Sequence, residues 1–382
     1  MYSNPGAPRR KSSTRFARFS ICAIIGAIYF CEEEIIMIRP FDTSFTKILP
    51  LTTDEALRRR FMVLDEPILA NMRFGLLLEV LDKVAEEAAL NYVNRFFPEA
   101  RVVTAAIDNI VIHHVTDMSR DMHFKARINH VGRSSLEIGI RVEQPGDPLR
   151  HIASCYFTMV ARSGRGEEVA SVTLAGLEYS NDLEKQRAEN ALKRRKDYKE
   201  QQALLREPPS REEFEMLTNL HAAQDEPGFK GLLTGRLTAD AWERMYPEQE
   251  NVPQKIFGGY LIRRAYELSS ICCEQVAPDR PIPMAVNRIN FFHPVRMGDK
   301  LHYTARVIYT NGSFICVEAN IERISRDRTT KALSNSCLFT FLNVDGELNN
   351  QPVPTVYPTN YGEDARYLTA HRSCRSLTGH CF

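Results

Sequence analysis

Ile107-Asp108-Asn109-Ile110 has a counterpart in Val286-Asn287-Arg288-Ile289, and the pair opens a stretch of this chain that is written twice. At the same offset and without gaps, His114 meets His293, Met118 meets Met297 and His123 meets His302. Phe124-Lys125-Ala126-Arg127-Ile128 then meets Tyr303-Thr304-Ala305-Arg306-Val307, and Ser134 meets Ser313. After a shift of three residues, Ser154-Cys155-Tyr156-Phe157-Thr158 meets Ser336-Cys337-Leu338-Phe339-Thr340. Upstream, Arg73-Phe74-Gly75 faces Ile256-Phe257-Gly258-Gly259. One such match is weak; this many in one order mark an internal duplication.

Working outward, each copy has the same element order. In the first, Phe74, Leu77, Leu78, Leu81, Val84, Ala85, Ala88 and Tyr92 recur at helical spacing. In the second, Phe257, Leu261, Ala265, Leu268 and Cys272 do the same. A face that wide and apolar predicts a helix laid against a sheet. Period-two alternation follows: Phe124/Ala126/Ile128 and Leu136/Ile138/Ile140/Val142, then Leu301/Tyr303/Ala305/Val307 and Ile315/Val317/Ala319/Ile321. That period is the mark of strands with one buried face. Val131-Gly132-Arg133-Ser134 and Asn311-Gly312-Ser313 are the hairpin turns between them. One helix followed by antiparallel strands is an α+β unit, and the chain holds two in tandem.

Length and composition agree. The 382 residues exceed one ordinary core. Apolar content of 43%, charged content of 25% and a net charge of +1 describe a globular chain with no bias toward nucleic acid. The nine cysteines lack CxxC spacing and fall mostly in apolar runs, which reads as reduced buried thiols. HExxH and paired CxxC are absent from the sequence, so zinc has no support. Met1 to Cys31 carries no acidic residue but has Arg9, Arg10, Lys11, Arg15 and Arg18, followed by an apolar run too short to span a bilayer comfortably. A mitochondrial (matrix) transit peptide is the expectation; a secretory signal also fits, and Met37 offers an alternative start. Otherwise the chain would be cytoplasmic.

The expected organisation is a targeting or disordered segment over 1–45, a first unit over 50–180, a charged helical linker over 181–245, a second unit over 246–346 and an irregular tail over 347–382. The linker contains Lys193-Arg194-Arg195-Lys196 and is halted by Pro208-Pro209. Pro352, Pro354 and Pro358 mark the tail.

Two places invite chemistry. Gly258-Gly259 opens the second copy's helix, where free N–H groups bind an anion or a developing oxyanion; tight helix-on-sheet packing explains a glycine pair equally well. In the first copy the matching stretch has one glycine, Gly75, and its helix carries Asp82 at the flank of the apolar face, a position that reads as a rim charge near solvent.

Ile256-Phe257-Gly258-Gly259-Tyr260-Leu261-Ile262-Arg263-Arg264-Ala265-Tyr266-Glu267-Leu268 resembles the signature of the mitochondrial acyl-coenzyme A thioesterase 9 family, the double hotdog acyl-CoA thioesterases. Arg73-Phe74-Gly75, Val131-Gly132-Arg133-Ser134-Ser135-Leu136-Glu137, Phe157-Thr158-Met159-Val160-Ala161-Arg162, the linker ending in Pro208-Pro209 and Tyr361-Gly362-Glu363 match it too, over roughly residues 50 to 368. The resemblance implies two hotdog units, each a long central helix wrapped by a curved antiparallel sheet. It also implies a site shared between units, with an Asn from the loop before one Gly-Gly and an acid from the other unit's helix. Asn251 and Asp82 fall at those positions. The reciprocal pair is broken: Tyr266 stands at the acid position, with Glu267 beside it as a possible second-site acid.

The implied reaction is hydrolysis of acyl-CoA to the free acid and CoA, with CoA part of the substrate and no separate cofactor or metal. Asp82 would be base or nucleophile, Asn251 would orient water or carbonyl, and the N–H groups of Gly258 and Gly259 would hold the oxyanion. Arg133, at a hairpin tip with Ser134, would meet a CoA phosphate or simply stay solvated, and Gly75 would help admit substrate. His114 and His293 read as structural. The implied partners are acyl-CoA and further copies of the chain, with no nucleic acid and no stable membrane span. The alternative is a non-catalytic acyl-CoA binding or sensing protein of the same fold.

Overall fold

The computed structural model describes residues 17–24, 27–34, 38–66, 68–164, 170–205, 207–252, 255–287 and 289–375, with the backbone alone for 17–34, 201–202, 204, 250–252 and 255. Of the segment read as targeting or disordered, residues 1–16, 25–26 and 35–37 lie outside these; Ala17–Ile24 pairs with Ala27–Glu34, and Pro40–Thr43 forms a 3-10 turn. No helix among the described residues is long and apolar enough to cross a membrane.

The first unit consists of helix α1 (Phe74–Val93) and strands β1 (Arg101–Ile107), β2 (Ile110–Ile112), β3 (Met122–Val131), β4 (Ser135–Gln144) and β5 (Arg150–Ser163). Two linker helices follow, α2 (Asp182–Leu204) and α3 (Arg211–Gln224). The second unit repeats the order with α4 (Gly258–Cys273), β6 (Arg280–Val286), β7 (Ile289–Phe291), β8 (Lys300–Asn311), β9 (Phe314–Ile324) and β10 (Lys331–Val344). The tandem hotdog architecture expected from the repeat is what the chain adopts.

The duplication extends to irregularities. β1 bulges between Thr104 and Ala106 where it meets β5, and β6 bulges between Pro283 and Ala285 where it meets β10. The Ser134 carbonyl accepts from the Ala161 N–H, and its counterpart Ser313 accepts from Asn343, each at 2.9 Å. A bulge re-aims a strand, so its repetition fixes the same local bend in both halves.

The two sheets fuse. β6 pairs with β2 through Ala285↔Val111 and Val286↔Ile110, and β7 pairs with β1 through Ile289↔Ile107 and Asn290↔Ala106. Among the described residues this gives one thirteen-stranded antiparallel sheet, edged by Phe45–Leu49 on β3 and by Thr238–Arg244 on β8. Each unit offers the same two strands to the other, the arrangement of an isologous dimer made within one chain. α1 and α4 lie side by side inside the curve; Glu79 meets Arg263 and Arg73 meets Glu267, so they run antiparallel. Their apolar faces, with Leu77, Leu78, Leu81, Leu261 and Ile262 nearly inaccessible, join one core common to both units.

Two boundaries differ from the sequence reading. Thr238–Arg244, read as linker, is an edge strand of the second sheet. The tail read as irregular over 347–382 contains helix α5 (Tyr361–Arg375). Its prolines all precede it, and Asn360 and Glu363 exchange capping bonds with Glu363 and Thr359 backbone N–H groups at 3.1 and 2.8 Å. Tail prolines thus lead into a helix start rather than excluding a helix. The six cysteines whose side chains are described, 155, 272, 273, 316, 337 and 374, are free and buried.

Candidate active site

α4 begins without help from its own sequence. Its N-cap residue, Phe257, has extended backbone (φ −64°, ψ 127°) and no capping side chain. The first N–H groups of such a helix need acceptors from outside. Asp82, two turns into α1, supplies one: its Oδ2 accepts from the Gly259 N–H at 2.7 Å. Its Oδ1 accepts from the Thr104 hydroxyl at 2.6 Å, at the β1 bulge.

Asp82 is 1% exposed, which overturns its reading as a rim charge near solvent. The reason is tertiary. The α1 flank that would face water on a lone unit faces α4 of the other unit. Burial pushes the carboxyl up to about 7; the bonds from Thr104 and Gly259 act downward, and Glu86 and Glu79 add smaller upward pushes. A carboxyl with such a value holds or releases a proton near neutrality.

Close approach depends on both glycines. A Cβ on Gly259 would stand 2.7 Å from the Phe257 ring and 3.1 Å from the Asp82 Cβ; one on Gly258 would stand 3.0 Å from the Phe291 ring. The Gly259 N–H, expected to face an oxyanion, is directed at Asp82 instead.

The carboxylate opens on a cleft of about 310 Å³ built from both units. Thr104, Val103, Met159 and Arg162 come from the first; Phe257, Gly258, Phe291 and His293 come from the second. His293, read as structural, is thus part of the wall, and its carbonyl accepts from Ser334 at 2.8 Å.

The other predicted residues are placed as follows. Asn251 lies in the short strand Glu250–Val252, which folds back on Lys255–Ile256 immediately before α4; its side chain is outside the described atoms. Arg133 is exposed at its hairpin and Ser134 half-buried, with their carbonyls accepting from Leu174 and Ala161. Gly75 is on the opposite side of the helix pair, where a Cβ would meet the Arg263 backbone oxygen at 3.2 Å and the Tyr266 ring at 3.3 Å. Glu267 bonds Arg73, Arg263 and Arg264 at 2.9 to 3.1 Å. Those guanidiniums outweigh its partial burial and hold its carboxyl below the usual range.

The pseudo-equivalent place in the other half is filled. Tyr266 takes the position of Asp82, Pro283 that of Thr104, and Phe74 that of Gly258. Tyr266 meets Phe74 and Phe339 edge-on with centroids 5.1 and 5.4 Å apart, and stacks on Phe341 at 5.6 Å. What remains is a void of about 30 Å³ among Phe74, Leu77, Ile112, Ile282 and Pro283. Asn71, buried in the loop before α1, spends its side chain on the Leu64 and Glu66 backbone. Sequence reasoning missed Thr104. The signal was available: at the repeat offset it lies over Pro283, so it differs between halves as Asp82 does.

Comparisons with known proteins point to thioesterases. The model of the thioesterase superfamily matches residues 254–329. The human protein named acyl-coenzyme A thioesterase 9, mitochondrial, is 27% identical over 355 residues, which cover 88% of this chain and 78% of that one. The mouse protein named acyl-coenzyme A thioesterase 10, mitochondrial, is 26% identical over 353 residues, with the same two shares. Protein VdlD of Helicobacter pylori is 32% identical over 162 residues, 40% of this chain and 88% of that protein.

Proposed function

This chain belongs to the thioesterase superfamily, and from that premise we propose that it hydrolyses acyl-CoA thioesters at the cleft holding Asp82. The observation that carries the site is a fully buried carboxyl, raised to about 7, at the seam of two units and beside the start of a helix. A thioester needs an activated water, a place for the oxyanion and a thiolate that leaves readily. The ionised Asp82 takes a proton from the attacking water as the new C–O bond forms; attack by the carboxylate itself is the covalent variant. Thr104 holds one carboxylate oxygen and Gly259 the other, which fixes the direction of the remaining lone pairs. Collapse of the tetrahedral intermediate breaks the C–S bond, and the proton passes to the departing CoA thiolate. Asn251, from the loop leading into α4, orients the water or the carbonyl. The Gly258 N–H, with the start of α4 behind it, suits the oxyanion. Water is the only co-reactant, so no cofactor beyond the CoA of the substrate is required.

The chain is mitochondrial, in keeping with the relatives named for that organelle, and we place it in the matrix. Its two open sheet edges, with Ile48 and Trp242 exposed, favour further self-association of the double unit.

Thiol release from a panel of acyl-CoAs tests the reading, with wild type set against Asp82→Ala and Asn251→Ala. Loss of release in both variants supports the composite site. Undiminished release in both removes the assignment. Acyl-CoA binding by wild type with no thiol release would make the protein a sensor.

A further inference from the structure

A second cavity lies outside the helix pair, between linker helix α2 and the outer face of the first sheet. Its volume is about 440 Å³, the size of a small-ligand pocket. Strand alternation explains its lining. Where Phe124, Ala126 and Ile128 point to the core, Lys125, Arg127 and Asn129 point outward. Two rows cross the outer face: Lys125, Arg141 and Ser154, and Arg127, Gly139 and Tyr156. α2 lays Arg187, Asn190 and Arg194 over them, at the three- and four-residue spacing of one helix face.

The charge is one-sided. Five cations line the groove and, among the described residues, no carboxylate does. Glu143 pairs with Lys125 and Arg141 at 2.6 and 2.5 Å, and Glu137 pairs with Arg194 at 2.5 Å. Arg127 and Arg187 have no ion pair among the described residues. Partial burial, and then the nearby Arg187, lower the proton affinity of Arg127, while Glu184 at the start of α2 acts the other way. Lys125 and Arg141 stand directly opposite each other and share the single carboxylate of Glu143.

The wall of the groove is also closely packed. Gly139 sits between Arg127 and Tyr156, and a Cβ there would fall 2.6 Å from the Asn129 amide nitrogen. Arg194 stacks 3.5 Å over the Tyr156 ring. Farther along the same face of α2, the Tyr198 hydroxyl accepts from Asn290 at 2.6 Å, which anchors the helix to the second unit. The second unit lacks the feature. At the repeat positions Lys125 becomes Thr304, Gly139 becomes Glu318 and Arg141 becomes Asn320. There Glu318 faces Arg306 across the strands and takes Arg366 of α5 at 3.2 Å, so the charge is balanced locally.

We propose that this groove binds a small polyphosphate, an anion with two or more linked phosphoryl groups, at a site separate from the Asp82 cleft. Guanidinium forks match phosphoryl oxygens in pairs, and the positive excess calls for a multiply charged ligand rather than a single carboxylate. The groove's concave form suits a small molecule.

Isothermal titration of the full chain with inorganic pyrophosphate, at fixed ionic strength, tests the site. Wild type should give saturable binding at one site per chain. Arg187→Gln, on the helix surface, and Arg127→Gln should each weaken it at least tenfold while thiol release without pyrophosphate stays unchanged. An ADP arm distinguishes a nucleotide-borne diphosphate from a free one, and binding of either supports the site. Heat that does not saturate, or the same affinity in wild type and both variants with folding verified by circular dichroism, would overturn it.

Discussion

The two seams between α1 and α4 are one design carried to different ends. At one, Asp82, Thr104 and Gly258 leave a polar cleft of about 310 Å³. At the other, Tyr266, Pro283 and Phe74 leave about 30 Å³ of apolar void. Backbone, bulge and register are shared; the side chains at these three paired positions differ. A buried carboxylate costs stability unless it is hydrogen-bonded, whereas an aromatic cluster in the same place contributes it. The first seam thus keeps an unfavourable group, the one proposed above as the base, and the second fills the equivalent space with packing. Duplication permits this division, because one fold holds both seams together.

The largest way to break the comparison is Asp82→Asn. It should lower thiol release by about 10²–10⁴-fold. In wild type, kcat/KM should rise about tenfold per pH unit below pH ~7 and level off above it, because the base must be ionised. Stability should move oppositely. The folded-state value lies above the ordinary carboxyl value of 3.8, so the folded chain binds more protons across that window and loses stability as pH rises through it. The full effect is roughly 4 kcal/mol as an upper order of magnitude, and chemical denaturation at pH 5 and pH 8 should show Asp82→Asn gaining on wild type at the higher pH.

Tyr266→Ala probes the other seam. Its ring is enclosed by Phe74, Phe339 and Phe341, so removal should cost about 3–5 kcal/mol in urea unfolding. Turnover per folded molecule should stay close to wild type. A loss of turnover as large as that of Asp82→Asn would mean that the seams are not separable.

A smaller contrast uses the two packed glycines. Gly259→Ala presses on Asp82 and Phe257 and should cost about tenfold to hundredfold in kcat. Gly75→Ala presses on Tyr266 and the Arg263 backbone and should cost about 1–3 kcal/mol of stability with kcat retained. The smallest effect is that of Thr104→Val. It removes a bond that favours the ionised carboxyl, so the midpoint of the pH profile should move up by about one unit. An unchanged midpoint would remove Thr104 from the site.

The repeat made the fold legible, because hydrophobic period and turn residues act locally and were present twice. Gly258 and Gly259 stood out against the single Gly75 of the other copy, while Asp82 was singled out by the family resemblance. Thr104 did not, since a threonine in a strand is unremarkable until a bulge turns it toward a carboxylate. The C-terminal helix was obscured by its prolines, and the cationic groove by the distance in sequence between Arg127 and Arg187.

From the sequence alone came the duplication and the helix-and-strand order, which are carried by local pattern; the asymmetry between Asp82 and Tyr266 took its meaning from the family resemblance. Only the tertiary structure decided that Asp82 is buried rather than exposed at a rim, that Gly259 bonds to it, and that the two halves close one cleft and pack the other. Burial and proton affinity depend on what the opposing unit places against a side chain, and no local periodicity encodes that.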